Sequence, residues 1–263
     1  MQWDSRAKII FKQDWNDYHL FRIETPKIAV EARPGQFLMV RVSDTPYPLL
    51  RRPISIHSRE RNALEIFFQV AGQGTALLSR KKEGETLDII GPLGKEFIPD
   101  WEHLGIAYLI GGGRGIAPLY FLGKELNKLG TKVHVLYGGK TLADLPVKEK
   151  FKKAGLGMTC STDDGSFGFH GFVTDLLESE IRKTTPQILF ICGPDLMMKK
   201  AAELAAAHKI PARISLESMM GCGFGACWGC VKRIKKNDNG KWRKICEDGP
   251  VFWAEEIIWE EAE

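Results

Sequence analysis

The sequence predicts an α+β multidomain chain: an antiparallel sandwich or barrel, then a parallel α/β domain, then a small C-terminal unit held by cysteines. Three observations carry that prediction. Short apolar or alternating runs broken by turn signals fill the first hundred residues. Strand, glycine-rich turn and helix recur from Leu104 onward, and four of the six cysteines crowd between positions 222 and 246. At 263 residues, with 44% hydrophobic and 27% charged side chains, the composition is that of a folded globular protein. It excludes a disordered tail, a collagen-like fibre and a coiled coil.

In the first region, expected to span 1–103, strands are predicted at Lys8 to Phe11, Phe37 to Val42, Ile54 to His57, Leu64 to Val70 and Thr86 to Ile90. Pro34-Gly35, Asp44 to Pro48, Gly72 to Gly74 and Gly91 to Gly94 separate them as turns. Many short strands at this spacing favour an antiparallel sandwich or barrel, and no helical periodicity competes. In the second region, 104–213, the apolar run Ile106 to Ile110 ends in three glycines before a helical stretch from Ile116 to Leu129. Val133 to Tyr137 and Ile188 to Cys192 read as further strands, and Asp195 to His208 as a helix with Asp195 as its N-cap. That alternation means a parallel sheet with crossover helices. The last unit, 214–263, has too little apolar material for a core of its own.

Charge and hydropathy narrow the setting. Subtracting 33 acidic from 37 basic residues leaves +4, too mild to indicate a polyanion partner. The longest apolar runs are far too short to span a bilayer. The opening MQWDSRAKIIFKQDW carries charges where a signal peptide has its apolar core, so a cytoplasmic protein without a membrane span is expected. The basic residues around Asn239-Gly240 lack interleaved aromatics, so they read as a solvated or docking surface rather than a nucleic-acid site.

The cysteines are the most specific signal. Cys222-x4-Cys227-x2-Cys230-x15-Cys246 matches the ligand spacing of a plant-type 2Fe–2S cluster. Structural zinc more often uses two separate short knuckles. Gly221, Gly223, Gly225 and Gly229 permit a tight loop with positive φ and inward N–H groups. Fifteen extended residues could carry Cys246 ~50 Å away, so the chain must double back. Asn239-Gly240 is a hairpin signal, and a turn there would set Cys246 opposite Arg233.

Two glycine turns lie at strand ends. GGGRGIAP at Gly111 to Pro118 and CGPD at Cys192 to Asp195 would both meet the carboxyl edge of a parallel sheet, where such folds bind ligands. Either could be a bare turn in isolation; together they favour a dinucleotide. RRPIS at Arg51 to Ser55 and GQGT at Gly72 to Thr75 offer a cation, a hydroxyl and a backbone anion site.

With PGQF, RPIS, GQGT, GPLG, GGGRGIAP and CGPD in this order, the chain resembles the ferredoxin-reductase superfamily. In that superfamily an FAD-binding β-barrel precedes a Rossmann-like NAD(P)-binding domain. With the C-terminal cysteines and the segments LRRPISIHS, TDDGSFGFHGFVTD and CEDGPVFWAEEI, it resembles the electron-transfer subunits of type B dihydroorotate dehydrogenases. The resemblance covers essentially the whole chain. It implies that Arg52 meets the FAD pyrophosphate, that Ser55 is the catalytic hydroxyl near the flavin N5, and that Pro53, Ile54, Phe67, Phe68, Gln69, Gly74 and Thr75 complete the FAD site. Gly111, Gly112, Gly113, Cys192, Gly193 and Pro194 would hold NAD, and Cys222, Cys227, Cys230 and Cys246 the 2Fe–2S cluster.

The implied partner is an FMN-containing catalytic subunit in a heterotetramer of two of each. Its electrons would pass through 2Fe–2S and FAD to NAD+, in pyrimidine biosynthesis. Ile54 stands where many ferredoxin reductases carry a flavin-stacking tyrosine, and Arg114 where a small or aliphatic residue is usual. The alternatives are a related flavoprotein subunit serving ferredoxin, sulfide dehydrogenase or hydrogenase, and a zinc-stabilised nucleotide-binding module.

Overall fold

A computed structural model describes residues 1–97, 104–235 and 240–259. The first strands are β1 (Gln2–Trp15), β2 (Tyr18–Glu24), β3 (Phe37–Arg41), β4 (Arg52–Glu60), β5 (Ala63–Gln69) and β6 (Thr86–Leu93). They close into a barrel in the order β1-β2-β5-β4-β3-β6. All five expected strands are present, and β2 is an addition. It follows β1 through a two-residue turn in which Asn16 takes φ 46°, so no glycine or proline announces it. Two short helices, α1 (Pro26–Glu31) and α2 (Gln73–Ser79), also went unpredicted. Helices of this length are shorter than the window over which helical periodicity can be read.

The absence of clean alternation in β5 has a physical cause. Ile66 and Phe68 fill the barrel interior, while Phe67 packs with Leu109, Ile116 and Tyr120 of the α/β layer. Both faces are buried, so apolar side chains occur on both and Glu65 is buried with them. The barrel and the α/β layer also share a buried charge cluster. Glu65 of β5, 1% exposed, accepts from Arg22 at 2.9 Å and lies 2.8 Å from the Lys150 ammonium.

The α/β layer contains β7 (Ile106–Gly112), α3 (Ala117–Lys128), β8 (Lys132–Gly139), α4 (Lys148–Lys153), β9 (Gly157–Thr162), β10 (Phe169–His170), α5 (Val173–Lys183), β11 (Ile188–Cys192), α6 (Asp195–Ala207) and β12 (Ala212–Ser215). Its sheet runs β10-β9-β8-β7-β11-β12-β15. The strands from β10 to β12 are parallel, as the alternation predicted, and β15 (Val251–Trp253) pairs antiparallel with β12. Asp195 is the first helical residue of α6 rather than its cap. Pro194 takes the N-cap position, and the Asp195 carboxylate instead receives Lys232 at 3.2 Å.

The C-terminal unit adds the hairpin β13 (Val231–Ile234) and β14 (Lys241–Lys244). Its missing core is supplied from outside. Met220, Cys230, Ile245, Cys246 and Phe252 join one apolar cluster with Phe37 and Met39 of the barrel and Ile191 and Ile214 of the sheet. The unit is held by continuity with both neighbours. Among the described residues no helix is long and apolar enough to cross a membrane.

Candidate functional site

The cysteine loop is shaped by hydrogen bonds to sulfur. Gly225 N–H donates to Cys246 Sγ at 3.2 Å, Cys246 N–H to Cys230 Sγ at 3.4 Å, and the Cys230 and Cys246 sulfurs lie 3.2 Å apart. Cys222 and Cys227 are also in hydrogen-bond contact. The four thiols therefore form two pairs. The Cys230–Cys246 pair is buried, whereas Cys222 is half-buried and Cys227 exposed. Among the described residues no three His, Cys, Asp or Glu side chains converge as on a single ion. Two sulfur pairs fit a two-iron cluster, which takes two thiolates at each iron.

Burial pushes the Cys222 thiol up, but N–H groups of Phe224, Cys227 and Ala226 and the Cys227 thiol outweigh it and bring it down to about 7. Burial, then contact with Cys230, pushes Cys246 up to about 12. A bound iron would displace the protons of the inner pair, because coordinating thiols are deprotonated.

The glycines do different work from that expected. Only Gly223 (φ 84°) and Gly225 (φ 89°) adopt the left-handed region; Gly221 and Gly229 do not, whereas Trp228 does (φ 57°). A Cβ at Gly223 would lie 2.3 Å from Met39 Cγ, so this glycine lets the loop press onto the barrel. The hairpin register also differs. Val231 faces Lys244 and Arg233 faces Trp242, so Cys246 is brought beside Cys230 and not opposite Arg233. The proposed turn residue Asn239 lies outside the described residues. Lys244, predicted as surface charge, donates to Gly225 O at 3.0 Å and pairs with Glu247. It braces the loop.

Beside this loop lies a cavity of about 220 Å³, room for a ring system rather than a whole dinucleotide. Arg52, Pro53, Ile54 and Ser55 of β4 form one wall and Phe67, Phe68 and Gln69 of β5 another, with Thr75, Cys192 and Met220 completing it. Gly74 lies behind Arg52, where a Cβ would stand 2.3 Å from the Arg52 Nε. Arg52 donates to Leu50 O at 2.5 Å, leaving further guanidinium N–H groups for an anion. The Thr75 hydroxyl was expected to face a phosphate. Instead it accepts from Ala71 N–H at 2.9 Å and donates to Gly72 O at 3.0 Å, so only first-turn N–H groups of α2 remain to donate.

A second cavity, of about 880 Å³, falls within the roughly 300–1,000 Å³ of small-molecule sites. Gly112, Gly113, Gly193 and Pro194 line it, as do Lys140, Asp144 and Asp163. Gly111 does not; its missing Cβ accommodates Ile116 Cδ1, which would be 2.5 Å away. Gly115 serves turn-on-turn packing, since a Cβ there would meet Cys192 O at 2.4 Å. Cys192, assigned to the nucleotide, lines the smaller cavity instead. Burial raises its thiol far above the ordinary range, so it is neutral at pH 7.

Several contributors went unread. Tyr18 of β2 stacks on Phe67 at 5.6 Å and donates to Asp144 at 3.0 Å. Burial and the Asp144 carboxylate hold its phenol protonated. Glu217 follows β12 at the sheet's carboxyl edge, where the rule used for the glycine turns would have found it had that strand been predicted. Gln69, Arg114 and Glu217 line both cavities.

The arrangement is that of a nucleotide-linked iron–sulfur oxidoreductase. A family model of an oxidoreductase NAD-binding domain matches residues 109–203. One of the iron–sulfur cluster binding domain of dihydroorotate dehydrogenase B matches 217–258. The dihydroorotate dehydrogenase B (NAD(+)) electron transfer subunit of Desulforamulus reducens is 36% identical over 98% of both chains. That of Bacillus caldolyticus is 42% identical over 86% of this chain and 87% of its own. The solved structure of an NADH-dependent reduced ferredoxin-NADP oxidoreductase superposes with a TM-score of 0.86 at 31% identity, covering 97% of this chain and 91% of the other. The chain belongs to the family of dihydroorotate dehydrogenase B electron transfer subunits.

Proposed function

We propose that this chain couples dihydroorotate oxidation in a catalytic partner to reduction of NAD+. The observation that carries the reading is the serial placement of three sites. Met220 lines the smaller cavity two residues before Cys222, and Gln69, Arg114 and Glu217 join that cavity to the larger one. When bound, a 2Fe–2S cluster in the cysteine loop and FAD in the smaller cavity would supply the exchange between single electrons and a hydride.

The chain's own residues then have separate tasks. Arg52 would clamp the FAD pyrophosphate by charge-assisted hydrogen bonds, in space that Gly74 leaves open, with N–H groups of Gly74 and Thr75 assisting. Ser55 would place its hydroxyl beside the reacting ring. Pro53, Ile54, Phe67, Phe68 and Gln69 would exclude water around it, and neutral Cys192 would add a small uncharged wall. Gly112, Gly113, Gly193 and Pro194 would offer backbone to NAD, with Gly111 supporting them from behind. Cys222, Cys227, Cys230 and Cys246 would hold the cluster.

The division into 1–103, 104–213 and 214–263 follows these three tasks, with β15 returning to complete the middle sheet. An FMN-containing catalytic subunit, two of each chain per complex, and a cytoplasmic setting belong to the same reading. The test is anaerobic purification of the chain with what copurifies from its source, assayed for NAD+ reduction driven by dihydroorotate. Orotate and NADH formed together, and only with the partner present, support it. NADH oxidation by artificial acceptors without dihydroorotate activity would move the reading to a ferredoxin, sulfide dehydrogenase or hydrogenase partner.

A further inference from the structure

Between the two cavities stands one ion pair. Arg114 Nη2 donates to Glu217 Oε2 at 2.9 Å, with the two side chains 48% and 46% exposed. The partners come from different places. Arg114 sits in the turn that follows Gly112 and Gly113, and Glu217 in the segment leading from β12 to Cys222. Both face each cavity, so the pair bridges the passage a nicotinamide ring must cross to reach the neighbouring site. A half-exposed ion pair is worth little, up to about 1 kcal/mol. A planar guanidinium prefers a phosphate, which it can grip with two parallel hydrogen bonds. The glycine turn beside Arg114 is where a dinucleotide's pyrophosphate would lie.

We propose that the Arg114–Glu217 pair is an exchangeable latch over the passage between the cavities. It is closed in the nucleotide-free protein and opened when the pyrophosphate of the incoming nucleotide takes Arg114 from Glu217. Glu217 is thus a competitor for Arg114, and the bound nucleotide clears its own path to the smaller cavity. The inference rests on the placement of NAD in the larger cavity.

The test uses ADP-ribose, which carries the pyrophosphate without the nicotinamide, titrated calorimetrically into the flavin- and cluster-loaded chain. The latch predicts changes of opposite sign. Arg114→Leu weakens binding about tenfold or more, as loss of a charged hydrogen bond would. Glu217→Gln tightens it by up to about fivefold, because the competing charge is gone. A pair that only braces the fold would weaken binding in both variants, and that result overturns the latch. So does wild-type affinity in Arg114→Leu. If ADP-ribose fails to bind the wild-type chain, the placement of NAD falls and the latch with it. If it binds and neither variant changes affinity, the latch alone falls.

Discussion

At the scale of single residues, the cluster loop is decided by contacts that only a missing side chain permits. Gly223 combines a φ of 84° with a position where a Cβ would come within 2.3 Å of Met39. The left-handed region costs an alanine roughly 1–2 kcal/mol, and overpacking against a buried methionine roughly 1–3 kcal/mol more. Gly223→Ala should therefore destabilise the chain by about 2 kcal/mol or more in thermal or urea unfolding, and lower its content of acid-labile sulfide. Unchanged sulfide and stability would show that the loop does not depend on this approach. The grouping of Cys222, Cys227, Cys230 and Cys246 was legible because spacing along the chain is itself the signal. Which glycine needed which freedom was not, since Gly221 and Gly229 look the same in sequence as Gly223 and differ in backbone φ and in what lies beside them.

At the scale of elements, the contact between barrel and α/β layer is closed by groups that ordinarily prefer water. His57 of β4 is fully buried, stacks on Tyr120 of α3 at 4.7 Å and places Nδ1 2.8 Å from Ala117 O. Because a carbonyl can only accept, Nδ1 carries the proton. Burial pushes the imidazole's pKa from 6.5 down to about 4. The unfolded chain therefore takes up a proton below pH 6.5 that the native state refuses until about pH 4. The native state's advantage is complete above 6.5 and shrinks as the pH falls, by about 2 kcal/mol at pH 5. His57→Phe, which keeps a stacking ring, should lose less stability between pH 7.5 and 5 in urea titrations than the wild type. Equal losses in both would remove His57 as the source. Strands β1, β3, β4, β5, β6, β7, β8 and β11 and helices α3 and α6 were legible from periodicity and glycine punctuation. Strands β2, β9, β10, β12 and β15 and helices α4 and α5 were not read, and α1 and α2 are too short to show a period.

At the scale of the whole molecule, the cluster loop has an inner and an outer edge. Cys230 and Cys246 join the shared core, while Cys227 is exposed beside Phe224 (45%) and Trp228 (58%), with Met219 (89%) just before the loop. Large exposed apolar side chains at one place mark a surface that a partner covers. Met219→Glu should weaken association with the catalytic partner about tenfold or more in a direct binding assay, while flavin and sulfide content stay at wild-type levels. Unchanged association would place the partner elsewhere. By itself the sequence determined the order of barrel, α/β layer and C-terminal unit, the cysteine spacing, the glycine turns at the sheet edge and the family. Each of these is written in local spacing or in the alternation of residue types. Only the tertiary structure decided that the C-terminal unit borrows its core, that Cys246 pairs with Cys230, that Cys192 faces the smaller cavity, and that Arg114 and Glu217 meet across 103 positions of chain. Those outcomes depend on which surfaces come together when distant segments pack, and no short stretch of sequence contains both sides of such a contact.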